Sequence, residues 1–150
     1  MPLLAYPGRT DDKVYSLLLY TFARYTQWPD IESSDQFVIT VVGYEKDWPV
    51  IKELEDKKNV YGLPIEVRFV QNMSTIPKSH IVLVTKEFNE RASYQMPDMA
   101  LVVSEQASAL TPGIDVNIYF ESGKFRFEMD VDAIESRGFK IAAQLKNMSM

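Results

Sequence analysis

Apolar runs without polar alternation are the feature that most constrains this chain. Phe37-Val38-Ile39-Thr40-Val41-Val42 is rich in β-branched residues and is closed by Gly43. His80-Ile81-Val82-Leu83-Val84 and Met99-Ala100-Leu101-Val102-Val103 are two more such runs. A strand with one wet face alternates polar and apolar residues, whereas a strand covered on both faces need not. The first run therefore belongs in the middle of a sheet. The polar, helix-compatible stretch Lys86 to Tyr94 separates the other two, and strand, helix, strand in that order implies a parallel crossover pair.

Two further patterns complete the sheet. Ile65, Val67 and Phe69 alternate with Glu66 and Arg68, the period of a half-exposed strand nearer an edge. Ile114, Val116, Ile118 and Phe120 alternate with polar residues, Glu121-Ser122-Gly123 turns, and Phe125, Phe127 and Met129 resume the alternation. That is an antiparallel hairpin. The fold class expected is α/β: a single domain with a mostly parallel or mixed sheet, a C-terminal antiparallel hairpin and helices packed on the faces. A chain of 150 residues, 46% hydrophobic and 25% charged, is long enough for one self-sufficient core. Residues 1–12 are expected to form a flexible extension, and residues 13–150 the domain.

Helical periodicity is clearest from Asp11 to Gln27. Val14, Leu17, Leu18, Phe22 and Tyr25 recur at the spacing of one helix face, and Trp28-Pro29 ends it, because proline disfavours helical geometry in the residue before it. Tyr15, Leu19 and Tyr20 lie on the other flanks, so the apolar stripe is wider than a surface helix needs. The helix is buried on several sides, or part of it meets a partner; Tyr15, Leu19 and Trp28 are the candidate protein-binding residues. Asp47 can cap a short helix with Pro49 in its first turn and Val50, Ile51 and Leu54 on the core side. Asp132 to Met148 reads as helical, with Gly138 as a break.

Several classes of function are excluded. The net charge of −5 and the lack of a basic cluster argue against a nucleic-acid partner. The absence of cysteine removes disulfides, thiol catalysis and cysteine-based metal sites. The longest apolar tract, Val14 to Tyr25, is too short for a bilayer core of roughly 30 Å and contains Arg24, so the chain is not expected to span a membrane. Met1 to Gly8 lacks the basic start and apolar run of a secretory leader, so an exported protein in this form is expected to have lost its leader already.

No catalytic constellation emerges. His80 is the one histidine, with neither a nucleophile elbow nor a ligand set beside it. Gly43-Tyr44-Glu45-Lys46 follows a strand but lacks the further glycines that let a pyrophosphate approach. Asp130-Val131-Asp132-Ala133-Ile134-Glu135 is acidic, but its spacing fits Asp132 as a helix cap with Glu135 as a capping-box partner better than a metal loop. No catalytic residue, metal site or cofactor is expected. Because parallel sheets bind ligands beyond the carboxyl ends of their strands, a small-ligand sensor is the alternative, with Gly43, Tyr44, Ser104 and Asn117 as its candidate residues.

Tyr20-Thr21-Phe22-Ala23-Arg24-Tyr25-Thr26-Gln27-Trp28-Pro29 resembles the Y-N-F-A-K-F-x-x-W-P segment that opens YfiR-like domains. In family order there follow Val41-Val42-Gly43, Gly62-Leu63-Pro64-Ile65-Glu66-Val67-Arg68, His80-Ile81-Val82-Leu83 and Leu101-Val102-Val103-Ser104-Glu105. Ile114 to Phe120 with Asn117, Phe125-Arg126-Phe127-Glu128 and Gly138-Phe139-Lys140-Ile141-Ala142-Ala143-Gln144-Leu145 complete the likeness over about residues 13 to 148. Departures include Tyr15 where many relatives have lysine, Ala142 and Ala143 at paired serines, Asp130 at an asparagine and Ser79 at a cysteine. The resemblance implies a non-enzymatic periplasmic protein that holds down a membrane-bound signalling protein of the diguanylate cyclase type, or a kinase. It thereby links envelope conditions to cyclic di-GMP and biofilm, its surface engaging that receptor or a second copy as a homodimer. The alternative under the same fold is a small-ligand sensor domain of the cell envelope.

Overall fold

In the computed structural model, which describes residues 12–29, 31–43, 49–71, 76–85, 100–105 and 113–149, the three apolar runs lie side by side. They form β2 (Phe37–Val42), β5 (Ile81–Val84) and β6 (Leu101–Glu105), every residue of them buried. Flanking them are β3 (Asn59–Val60), β4 (Leu63–Val70), β7 (Val116–Glu121) and β8 (Lys124–Met129). The sheet order is β3-β4-β2-β5-β6-β7-β8. Strands β4, β2, β5, β6 and β7 run parallel, and β3 and β8 return antiparallel at the two edges. Central strands made of apolar runs, with Glu105 at the end of β6 as their one charged residue, and an antiparallel hairpin at the end agree with the patterning.

Register divides the sheet into two faces. Phe37, Ile39 and Val41 of β2 point with Ile65, Val67, Ile81, Leu83, Leu101, Val103, Val116 and Ile118 into the larger core. Val42, Val82, Val84, Ala100 and Val102 form a smaller cluster on the opposite face. All five described helices feed the larger core: α1 (Asp12–Arg24) through Tyr15, Leu19 and Phe22, α2 (Pro49–Lys52) through Ile51, α3 (Leu54–Lys57) through Leu54, α4 (Val131–Ser136) through Ile134, and α5 (Ala143–Met148) through Leu145. The helix expected over Lys86 to Tyr94 lies outside the described residues, as do Asp47 and residues 1–11 of the extension expected over residues 1–12; Asp12 opens α1.

Both hairpins use two-residue turns with positive φ at each position. Tyr61 (51°) and Gly62 (80°) join β3 to β4, and Ser122 (52°) and Gly123 (78°) join β7 to β8. That is the primed turn whose twist matches the strands it links. Tyr61 is also pinned, its hydroxyl lying 2.6 Å from the Thr26 carbonyl oxygen and 3.1 Å from that of Arg24. Beyond β3, the outer edge of β4 is closed by side chains: the Val67 N–H donates to Glu55 Oε2 (2.7 Å) and Lys52 Nζ donates to the Val67 carbonyl (3.0 Å). An ion pair thus stands where another strand would bind, which blunts an aggregation-prone edge.

Two local expectations need correction. The C-terminal stretch is not one broken helix. α4 stops at Ser136, Gly138 adopts φ +99°, and Lys140–Ile141 forms a short strand, β9, that pairs antiparallel with β1 (Thr26–Gln27) before α5 begins. The cap of α4 is Asp130, not Asp132: Asp130 Oδ1 accepts the Ala133 N–H at 3.2 Å. Glu135 consequently serves no capping box and instead accepts the Ile141 N–H (3.1 Å) and pairs with Lys146 (3.4 Å). The hydrogen bond to Ile141 holds its carboxyl below the usual range.

Candidate binding surfaces

The face that α1 buries differs from the one its periodicity suggested. Apolar residues at nearly every other position support two overlapping stripes, and the sheet selects between them. Tyr15 meets Phe125 edge-on at 5.5 Å, and Phe22 meets Phe127 at 5.1 Å. These contacts turn Tyr15, Leu19, Phe22 and Ala23 inward, all 0% exposed, and leave Leu17 64% exposed. Tyr15 and Leu19 are therefore core residues, and Leu17 is the large apolar residue that the helix shows to solvent, with Tyr20 half-buried beside it.

Trp28 is a core residue as well, 5% exposed. Its ring meets Phe37, Phe139 and His80 edge-on at 5.1, 5.5 and 5.9 Å, and Nε1 donates to the Ala23 carbonyl at 3.0 Å, satisfying an orphan acceptor at the end of α1. Gly138 lies against Pro29, so that a Cβ there would sit 3.5 Å from the proline Cγ. The Trp28-Pro29 and Gly138-Phe139 segments, 110 positions apart in the chain, are thus two halves of one packing unit.

His80 belongs to the same unit. It stacks on Phe37 at 4.6 Å, accepts the Val38 N–H at Nδ1 (3.0 Å) and bonds Ser34 Oγ through Nε2 (3.2 Å). An Nδ1 that accepts cannot carry a proton, and burial, aided by Lys78, lowers the imidazole pKa below its ordinary value. The geometry is that of a structural histidine. Among the described residues no group of three or more histidines or carboxylates is placed to hold a metal ion.

Of the residues considered for a small ligand, Gly43, Ser104 and Asn117 lie on β2, β6 and β7 or at their ends, and Tyr44 is outside the described residues. Gly43 N–H donates to the Val70 carbonyl. Ser104 and Asn117 are directly paired in register and buried, Ser104 Oγ donating to Asn117 Oδ1 at 2.8 Å and Asn117 Nδ2 to Glu128 Oε1 at 3.3 Å. These groups bond one another. A second polar clamp sits two residues earlier along each chain segment, where Asp115 accepts the Val102 N–H (2.8 Å) and pairs with Arg137 (2.6 Å), while Arg137 Nη1 also donates to the Ala100 carbonyl (3.1 Å).

A concavity among the described residues lies elsewhere. A groove of about 740 Å³ runs between α1, the α2–α3 segment and the end of α5. Its α1 wall comprises Lys13, Ser16, Leu17, Tyr20, Thr21 and Arg24. Leu54 lies at its base, 5% exposed, and Met148 borders it, 52% exposed. Among its described lining residues the cations are Lys13, Arg24, Lys57 and Lys58, against the single carboxylate of Glu53. The sequence carried one signal of this surface, the excess width of the α1 stripe, but misassigned which residues form it.

No described helix is long and apolar enough to cross a membrane. A search of proteins with curated functions finds no match to this chain. A family model described as YfiR/HmsC-like matches residues 12–149, which takes in all of the described elements. By that match, and by the packing unit into which its motifs at Trp28-Pro29 and Gly138-Phe139 converge, the chain belongs to the YfiR/HmsC-like family.

Proposed function

We propose that this protein is a non-enzymatic periplasmic regulator that binds a membrane-bound signalling protein of the diguanylate cyclase type and holds down its output of cyclic di-GMP, and with it biofilm formation. The observation that carries the reading is the family match over residues 12–149. Supporting it is the placement of the polar groups: His80, Asp115, Ser104 and Asn117 are each engaged within the fold, and the broad concave surface is apolar with a cationic rim. Such a surface suits contact with another macromolecule.

Deleting the gene and restoring it from a plasmid, with cyclic di-GMP measured by mass spectrometry, tests the reading. The nucleotide should rise on deletion and return to the starting level on restoration. Unchanged levels in a strain that retains its membrane cyclases would reject it. The second reading, a small-ligand sensor of the cell envelope, has in its favour the buried Ser104 near the carboxyl end of β6, hydrogen-bonded to Asn117. A thermal-shift screen separates the two, since a small ligand at a hundred times its Kd adds about 2.7 kcal/mol.

A further inference from the structure

We propose that the groove along α1 is the docking site for an acidic amphipathic helix of the partner. This rests on the reading of the protein as a regulator that acts by binding another protein, and it specifies the chemistry of that contact.

The shape comes first. The α1 residues that line the groove recur at i, i+3, i+4, i+7, i+8 and i+11 from Lys13, one complete face of the helix. Eleven steps at 1.5 Å give a trough of about 16 Å, the length of three helical turns. A helix laid in a groove is held by apolar anchors at i, i+3 or i+4, and i+7, which a trough of this length accommodates. The apolar surface is also concentrated here. Four large hydrophobic residues are strongly exposed among the described residues, and two of them, Leu17 and Met148, border this groove.

Charge then selects the occupant. The chain has 16 lysines and arginines and 21 aspartates and glutamates. Among the described residues four of those cations line the groove against one carboxylate, and that carboxylate, Glu53, is paired with Lys57 at 3.0 Å. The cationic heads are held over the walls, Lys58 Nζ at 5.2 Å from the Tyr20 ring centre and Arg24 Cζ at 5.4 Å from that of Tyr25. An acidic protein with a cationic, apolar trough is complementary to a helix carrying aliphatic anchors and flanking carboxylates. A second copy docking groove to groove would oppose like charges across a two-fold axis. A flat bilayer surface would not reach Leu54 at the base of the trough.

A fluorescent synthetic peptide of about five helical turns, with leucines at i, i+3, i+4 and i+7 and glutamates elsewhere, provides the probe. Its counterpart carries lysine in place of glutamate. By fluorescence anisotropy the acidic peptide should bind, weaken with added salt, and lose affinity about tenfold in Leu17→Glu and in the double variant Lys57→Glu/Lys58→Glu. The basic peptide should not bind. All three positions are exposed, so thermal melts of the variants should match the parent. Equal binding of both peptides, failure of the acidic one, or preference for phosphatidylglycerol vesicles over it would overturn the proposal. Co-purification with the full-length membrane cyclase separates this proposal from the reading beneath it. A cyclase retained equally by parent and variants rejects the groove and keeps the regulator. A peptide that binds as expected to a protein retaining no cyclase keeps the groove and rejects the regulator.

Discussion

Truncating Trp28 to alanine separates a core role from a surface role for the tryptophan that carries the family motif. The side chain is 5% exposed, contacts three rings edge-on and closes the end of α1 through the 3.0 Å hydrogen bond to Ala23. Removing a buried tryptophan costs about 3–5 kcal/mol, and the carbonyl left without its donor about 1 more. In a domain of this length each kcal/mol shifts Tm by roughly 2–4 °C, which puts the fall at about 10–20 °C. Urea titrations should show the midpoint falling with an unchanged slope. Trp28→Phe, which keeps a ring but loses the donor, should fall in between, and Leu17→Ala, at a position 64% exposed, should stay within about 0.5 kcal/mol of the parent. A Trp28→Ala protein that melts with the parent yet no longer binds its partner would refute the packing unit described here.

Three further substitutions probe the polar and backbone devices. Arg137→Met leaves the Asp115 carboxylate, 7% exposed, with the Val102 N–H alone, and should cost about 2–4 kcal/mol at neutral pH by chemical denaturation. Burial already pushes the Asp115 carboxyl above its ordinary value, against the Val102 hydrogen bond and Arg137. The folded variant, with that pKa raised further, gains a proton ahead of the unfolded chain as pH falls, so its deficit should narrow as the solution is acidified. His80 has the opposite sign: its folded pKa lies below the unfolded value of 6.5, so its contribution is complete above that pH and is lost as pH falls from there through the folded pKa. His80→Gln, which cannot titrate, should flatten the decline in stability between about pH 7 and pH 5, and identical slopes would contradict the assigned Nδ1 acceptor. Gly138→Ala should lower stability by about 1–3 kcal/mol in the same titrations, through the φ of +99° and not through crowding, since the new Cβ would meet Pro29 at ordinary contact distance.

The sheet was legible in the sequence because burial on two faces leaves a one-dimensional trace. Phe37 to Val42 and Ile81 to Val84 could not be solvated on either side, and Ser122-Gly123 between alternating runs marks a hairpin. The helix face was not legible. With Tyr15, Leu17, Leu18, Leu19, Tyr20 and Phe22 all apolar, periodicity admits more than one stripe, and the choice is made by Phe125 and Phe127, more than 100 residues away. Of the two options the wide stripe leaves open for Tyr15 and Leu19, burial or a partner contact, the fold takes burial, and it exposes Leu17 from the face that periodicity marks. The C-terminal stretch misled for a related reason: Lys140 and Ile141 have no strand signature of their own and extend because Thr26 and Gln27 pair with them. The spacing from Asp132 to Glu135 imitates a capping box, but α4 begins two residues before that box would allow, with Asp130 as its cap. Residue chemistry in the groove was equally hidden, because Lys13, Arg24 and Lys57-Lys58 converge only when α1 packs beside α2 and α3.

The surface claim is tested most directly in cells that carry the membrane cyclase, with the parent protein replaced by Leu17→Glu and by a Leu17→Ala control of equal abundance. Cyclic di-GMP should climb to the level of the deletion strain with glutamate at the centre of the trough and stay close to the parent level with alanine. Full restraint by the glutamate variant would contradict the assignment of α1's exposed face as the surface that grips the partner.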